Sequence, residues 1–328
     1  MRRRDFMKAI AGLPWMMWPL AAQAQHSAVP LVGWLHSGTE KANSERAVPF
    51  RQGLAEAGFA EGKDVTIEYR WAENQLDRLP ALVADLIQRR VAVITACGNP
   101  AAAVAAKSAT ASIPIVFQNG ADPVQVRLVQ SFNHPGGNVT GFTNFSADLA
   151  AKRMGVLREL APSAKSIAAL VNPTRPGTDA LIAQVRDAAS AIGLPVQILK
   201  AASEREIDAA FSALVQSGAG GLVMTADVVF NDRREQIVAL ARRYAVPTIY
   251  EWRSFVDAGG LVSYGPDIFA TYRQVGALVG RILRGEKPGD LPVMRPTRFE
   301  LVINMKTAKE LGIQVPSSMP LLADEVIE

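Results

Sequence analysis

The 328-residue chain contains one cysteine, Cys97, and three histidines, His26, His36 and His134. A lone thiol makes no intramolecular disulfide, so the fold must rest on burial of apolar surface. None of the histidines pairs with another at the i, i+4 spacing of a helical zinc site, and Cys97 has no second thiol, which argues against a metal centre. There is no G-x-S-x-G elbow, no P-loop and no G-x-G-x-x-G after a strand pattern, so no cofactor is expected. Concentrated positive charge is missing too. Of the net charge of +4, residues 1–24 carry +3 (Arg2, Arg3, Arg4 and Lys8 against Asp5), and the nearly neutral remainder offers no basic face for nucleic acid. Long hydrophobic runs are also absent: the one that ends at Leu20 is broken by Pro14 and Pro19 and falls short of the roughly 20 residues of a membrane span.

What the N-terminus has is Arg3-Arg4-Asp5-Phe6-Met7-Lys8, then this short apolar run, then Ala22-Gln23-Ala24. Paired arginines ahead of an apolar stretch and a small-x-small tripeptide are the features of a cleaved twin-arginine export signal over residues 1–24. The expectation is a mature chain beginning at Gln25, periplasmic and not membrane-spanning. With 49% apolar residues and mixed charge, that chain reads as globular and long enough for two domains.

From Val29 onward, β-rich apolar runs alternate with amphipathic helical patterns. Val29–Leu35, Val65–Trp71, Val91–Cys97 and Ile113–Gln118 read as strands. Ala47, Phe50, Leu54 and Ala57 mark a helix, as do Leu76, Leu79, Leu82, Val83 and Leu86, and Pro100–Thr110 forms an alanine-rich one. The series resumes with Val139–Thr143 and runs through strands at 166–171, 196–199, 221–224 and 247–252. Helices at 147–160, 179–192, 204–216 and 232–244 separate them. Such alternation implies right-handed βαβ units and parallel sheets. The tail, with a strand at Leu261–Tyr264, a helix at Ile268–Leu283 and a strand at Phe299–Asn304, is too small for a third domain and is expected to return to both lobes. The reading is α/β: two doubly wound Rossmann-like lobes joined by a multi-strand hinge. The first lobe takes residues 25–141 plus 266–292, the second 142–265 plus 293–328.

In parallel sheets, ligands bind beyond the carboxyl ends of the strands. That rule selects Ser37 and Gly38 after the first strand, Asn99 and Pro100 after the third, and Gly120 and Asp122 after the fourth. In the second lobe it selects Asn172, Asp227 and Glu251, with Tyr264 near a crossover. The set is small, polar and uncharged apart from its three acids, which suits a molecule with an amine and a carboxylate. The anion would meet hydroxyls and helix N-termini, including the one opened by Pro100. Each position has a plainer explanation. Ser37, Asn99 and Asn172 can be N-caps, Asp122 can start a turn, Asp227 and Glu251 can be solvated or salt-bridged loop acids, and Trp252 can be packing. Cys97 as a nucleophile near His36 competes with a buried strand-end residue.

Several runs carry a resemblance to a known family. They are Phe50-Arg51-Gln52-Gly53-Leu54, Ile67-Glu68-Tyr69-Arg70-Trp71-Ala72-Glu73, Ile113-Pro114-Ile115-Val116-Phe117, Asp122-Pro123-Val124, Pro135-Gly136-Gly137-Asn138-Val139-Thr140-Gly141, Ala258-Gly259-Gly260-Leu261-Val262-Ser263-Tyr264-Gly265 and Ile303-Asn304-Met305-Lys306-Thr307-Ala308-Lys309. Over nearly all of the mature chain the sequence resembles the ABC-transporter substrate-binding proteins related to the tryptophan/tyrosine binding proteins. The resemblance implies a type I periplasmic-binding-protein fold with three interlobe crossovers. It also implies a non-catalytic receptor that captures a small solute, an amino acid or a related small carboxylate, and passes it to an ABC permease. Two rivals use the same scaffold: a sensor subunit serving a signalling receptor, and a hydrolase with Asp227 and Glu251 as its acid pair.

Overall fold

A computed structural model describes residues 29–144 and 147–328; the export signal expected over residues 1–24 lies outside them. The first sheet contains β1 (Leu31–His36), β2 (Thr66–Trp71), β3 (Val93–Gly98), β4 (Ile115–Asn119) and β5 (Val139–Thr143) in the order β2-β1-β3-β4-β5. Every pairing in it is parallel. The second contains β6 (Ile167–Val171), β7 (Val196–Lys200), β8 (Leu222–Met224), β9 (Thr248–Tyr250), β10 (Val262–Pro266), β11 (Phe299–Asn304) and β12 (Glu325–Ile327), ordered β12-β11-β10-β9-β8-β6-β7. Its single antiparallel pair is β10 with β11.

Burial explains which apolar runs became which strands. The near-continuous runs in β1, β3, β4, β5 and β6 are buried on both faces, as strands flanked by helices must be. The alternating run in β2 lies at a sheet edge and stays half exposed.

The chain passes between the sheets after Thr143, after Pro266 and before Phe299. After the second passage, helix Ile268–Leu283 packs its apolar stripe, including Tyr272, Val275 and Val279, back onto the first lobe against helix Ala47–Glu56. Glycines set the closeness of that crossing. A Cβ on Gly276 would fall on the carbonyl of Phe50, and one on Gly53 would fall on the carbonyl of Arg273, so the two backbones touch where only hydrogen fits. The chain then lies along β5, with the Val293 amide donating to Phe132 O (2.7 Å), Met294 N to Gly141 O (2.9 Å) and Thr143 N to Met294 O (3.0 Å), before entering β11.

Two departures from the sequence reading lie near the cleft. The helix expected at 232–244 is two helices, Val228–Asp232 and Arg234–Arg243. Asp227 caps the first of them, accepting from Val229 N at 3.0 Å, and thereby starts it four residues early. A short helix, Arg253–Asp257, follows β9 where the sequence suggested only the end of a strand.

Candidate functional site

The carboxyl ends of the two sheets face one another across a cleft that encloses a cavity of ≈ 30 Å³. Gly98, Asn99, Gln118, Asn119 and Gly120 wall it from the first lobe, along with Arg46 from the turn before helix Ala47–Glu56. Arg175, Ala226, Asp227, Val228, Asn231 and Trp252 wall it from the second; Asn144 and Ile268 come from two of the passages between lobes. At Arg46, Trp252 and Ile268 the cavity borders an open groove of ≈ 350 Å³, which includes Glu45, Asp267 and Glu300.

Of the residues chosen from sequence, Asn99, Gly120 and Asp227 line this cavity. Asp227 is 6% exposed. Its Oδ1 accepts from Asn172 Nδ2 (2.9 Å) and Val229 N, while Oδ2 is buried without a hydrogen-bond partner. Burial raises its pKa, opposed by the Asn172 hydrogen bond and by Arg175. Asn99 caps helix Pro100–Ala109 through Ala101 N (2.9 Å). Gly120 lies so close to Arg175 that an added Cβ would sit 3.3 Å from its Nη2.

The other chosen residues lie behind or beside the cavity. The Ser37 hydroxyl is taken up in tying two loops, donating to Cys97 O (3.4 Å) and accepting from Asn99 N (2.6 Å). Gly38 N donates to His36 Nδ1 (3.0 Å). Pro100 has no N–H to offer an anion and does not line the cavity, and at that helix N-terminus Asn99 already holds Ala101 N. Asp122 accepts from Val124 N (2.8 Å) and Gln125 N (3.2 Å), the turn-starting role. Asn172 supports Asp227 and Thr174. Glu251 is the salt-bridged alternative, and buried: Arg153 Nη2 stands 3.7 Å from its Oε1, and burial raises its pKa against the pull of Arg153, Arg175 and Arg46. Tyr264 stacks on Phe299 at 6.3 Å, away from the cavity.

The arginines are what sequence reasoning missed. Arg46, Arg153 and Arg175 are each 7% exposed, so the site is far from uncharged. Arg46 lies over the Tyr272 ring, 5.8 Å from its centroid. The Arg175 guanidinium makes no hydrogen bond or ion pair among the described residues, and burial lowers its pKa while Asp227 and Glu251 oppose the shift. Further polar atoms of lining residues are buried without partners: Asn119 Nδ2, Asn144 Oδ1 and Trp252 Nε1. Buried polar groups in proteins are nearly always satisfied, so unpaired donors and acceptors gathered around one cavity indicate a polar ligand.

His36 and Cys97 have structural roles. His36 is fully buried, accepts on Nδ1 and pairs through Nε2 with Tyr272 Oη (3.3 Å); burial, with Arg46, holds its pKa well below the ordinary value. Cys97 is fully buried and its thiol pKa is pushed up, the opposite of what a nucleophile needs. Among the described residues no cluster of ligating side chains could hold a metal, and no helix is long and apolar enough to cross a membrane.

A second contact joins the lobes beside the cavity. Asp232, at the end of helix Val228–Asp232, accepts from three first-lobe donors: Thr39 N (3.1 Å), Asn43 Nδ2 (2.9 Å) and Asn74 Nδ2 (2.5 Å). These bonds exist only while the lobes are together.

Residues 41–327 match the sequence profile of the family described as ABC transporter substrate binding protein. The chain belongs to that family. This substrate-binding protein is 27% identical over 266 residues to the tyrosine-binding protein of Clostridioides difficile (strain R20291), a match covering 81% of this chain and 76% of the relative. It superposes on the ABC domain from Streptococcus pneumoniae in complex with L-Trp with a TM-score of 0.84 at 25% identity, covering 91% of this chain and 99% of the other. A conserved domain protein from Vibrio cholerae gives 0.85 at 26% identity, with the same coverage. The two parallel-sheet lobes are the type I periplasmic-binding-protein fold that the sequence resemblance implied. Membership carries the role of an extracytoplasmic receptor for a small solute, working with a membrane permease.

Proposed function

We propose that the protein is exported to the periplasm by the twin-arginine signal of residues 1–24, closes around an amino acid or a related small carboxylate, and hands it unchanged to its permease. The observation that carries this reading is the cavity between the lobes, where unpaired donors and acceptors from both sides converge. A ligand carboxylate has Arg46, Arg175, Asn119 Nδ2 and Trp252 Nε1 available; a ligand ammonium has Asp227 Oδ2 and Asn144 Oδ1. Contacts from both lobes to one solute give the closed form its differential affinity, and closure presents a joint surface to the permease.

The moving bodies are residues 25–141 plus 266–292 and residues 142–265 plus 293–328, the last segment starting at the hinge, where Met294 bonds to Gly141 and Thr143 of β5. A binding role without turnover is supported by the relatives' description as binding proteins, and by Glu251 being held by Arg153 rather than lining the cavity beside Asp227. The test is thermal unfolding against a panel of amino acids and small carboxylates, with the spent solution analysed for products. A rise in Tm for one chemical class, with the solute recovered intact, is expected. Turnover of the solute, or no response to any member, overturns the reading.

A further inference from the structure

We propose that the ligand bears two anionic groups as well as an amine, the chemistry of a small dicarboxylic amino acid, rather than the neutral side chain of an aromatic one. This rests on the receptor reading above and narrows it. Three buried arginines, Arg46, Arg153 and Arg175, stand among two buried acids, Asp227 and Glu251. Arg153 is engaged outside the cavity lining: its Nε donates to Tyr264 O at 2.7 Å, and its Nη2, without a hydrogen bond, stands 3.7 Å from Glu251 Oε1. The charges that line the cavity are therefore Arg46 and Arg175 against Asp227 alone, and neither arginine forms an ion pair among the described residues.

A neutral zwitterion leaves this balance uncorrected. Its ammonium answers Asp227 and its carboxylate answers one guanidinium, while the other keeps as a nearby counter-charge only Glu251, which Arg153 already engages. A second carboxylate removes that shortfall, and a cationic side chain would add to it. The lowered pKa of Arg175 expresses the same imbalance, since desolvation outweighs the acids near it. Arg175 is also held where an anion can reach it: it lies against Gly120, where there is no side chain to displace the guanidinium. The rest of the lining is mostly polar, its apolar side chains being Ala226, Val228, Trp252 and Ile268.

The experiment is isothermal titration calorimetry of the mature protein with L-aspartate and L-glutamate, their amides L-asparagine and L-glutamine, and L-tyrosine and L-tryptophan. The acids are expected to bind more tightly than their amides by about tenfold or more, because the amide leaves a buried guanidinium unpaired. In Arg46→Gln, checked for folding by its thermal transition, that ratio should collapse towards one. If the variant does not fold, the wild-type ratio alone decides. Equal or tighter binding of the amides or the aromatic amino acids overturns the dicarboxylate inference and leaves the receptor reading standing. No binding by any of the six overturns the inference and removes the amino-acid reading with it.

Discussion

Replacing Asp232 by alanine should weaken ligand binding without touching the cavity. The carboxylate joins the lobes through Thr39, Asn43 and Asn74, and all three donors belong to the opposite lobe. Hydrogen bonds to a charged group contribute about 1.5–3 kcal/mol each, but this carboxylate is half exposed and its donors can bind water once the lobes part, so the sum is heavily discounted. A net loss of about 2 kcal/mol from the closed form is the working value, equivalent to about 30-fold in the open–closed ratio. Apparent affinity scales with the fraction of competent molecules, so a protein that is mostly open without ligand should lose about that factor in Kd. Calorimetry gives the Kd, and small-angle scattering gives the dimensions with and without ligand. Asp232→Asn, which keeps the shape and loses the charge, should fall between wild type and Asp232→Ala. A folded Asp232→Ala protein with wild-type affinity and wild-type closure would refute the reasoning, because the three bonds would then contribute nothing to the closed state.

Burial raises the Asp227 pKa, so acidification should protonate it, remove its hold on an ammonium and weaken binding at a higher pH than an ordinary aspartate near 3.9 would; Kd measured against pH should show this in wild type and be flat in Asp227→Asn. His36 has a depressed pKa in the fold, so the unfolded chain takes up a proton first. Stability should fall as pH drops below about 6.5, by up to about 1.4 kcal/mol per pH unit, and denaturant melts of His36→Gln should lose that dependence. Gly276→Val forces a side chain onto the Phe50 carbonyl and should cost about 1–3 kcal/mol or more, read as a lower Tm. Mass spectrometry of the periplasmic fraction should give an N-terminus at Gln25; a chain retaining residues 1–24 would contradict the export step.

Every β-strand but the short Glu325–Ile327 and most helices were legible because their apolar runs repeat with the period their burial demands. Val139–Thr143 and Ile268–Leu283 in the structure have the bounds read from the sequence. The return of that helix to the first lobe followed from the shortness of the tail, and the Gly53–Gly276 contact supplies the detail that no periodicity carries. The site was only half legible. The strand-end rule finds Asn99, Gly120 and Asp227 because topology places them, but it also collects Ser37 and Asn172, whose polar atoms serve the loops themselves. It passes over Arg46, which reaches the cavity from a helical turn, and Arg175, which lies a few residues beyond a strand end. An arginine reads as surface in a sequence unless its counter-charges are known, and here they come from elements distant in the chain.

The central claim is a cleft that shuts on a solute, and small-angle scattering of the mature protein, titrated with whichever acid calorimetry selects, tests it most directly. The account predicts a radius of gyration that decreases to a plateau at one equivalent, with the acid recovered chemically intact. A radius that stays constant while calorimetry records saturable binding would contradict it, since the two lobes would then form one rigid body that binds without closing.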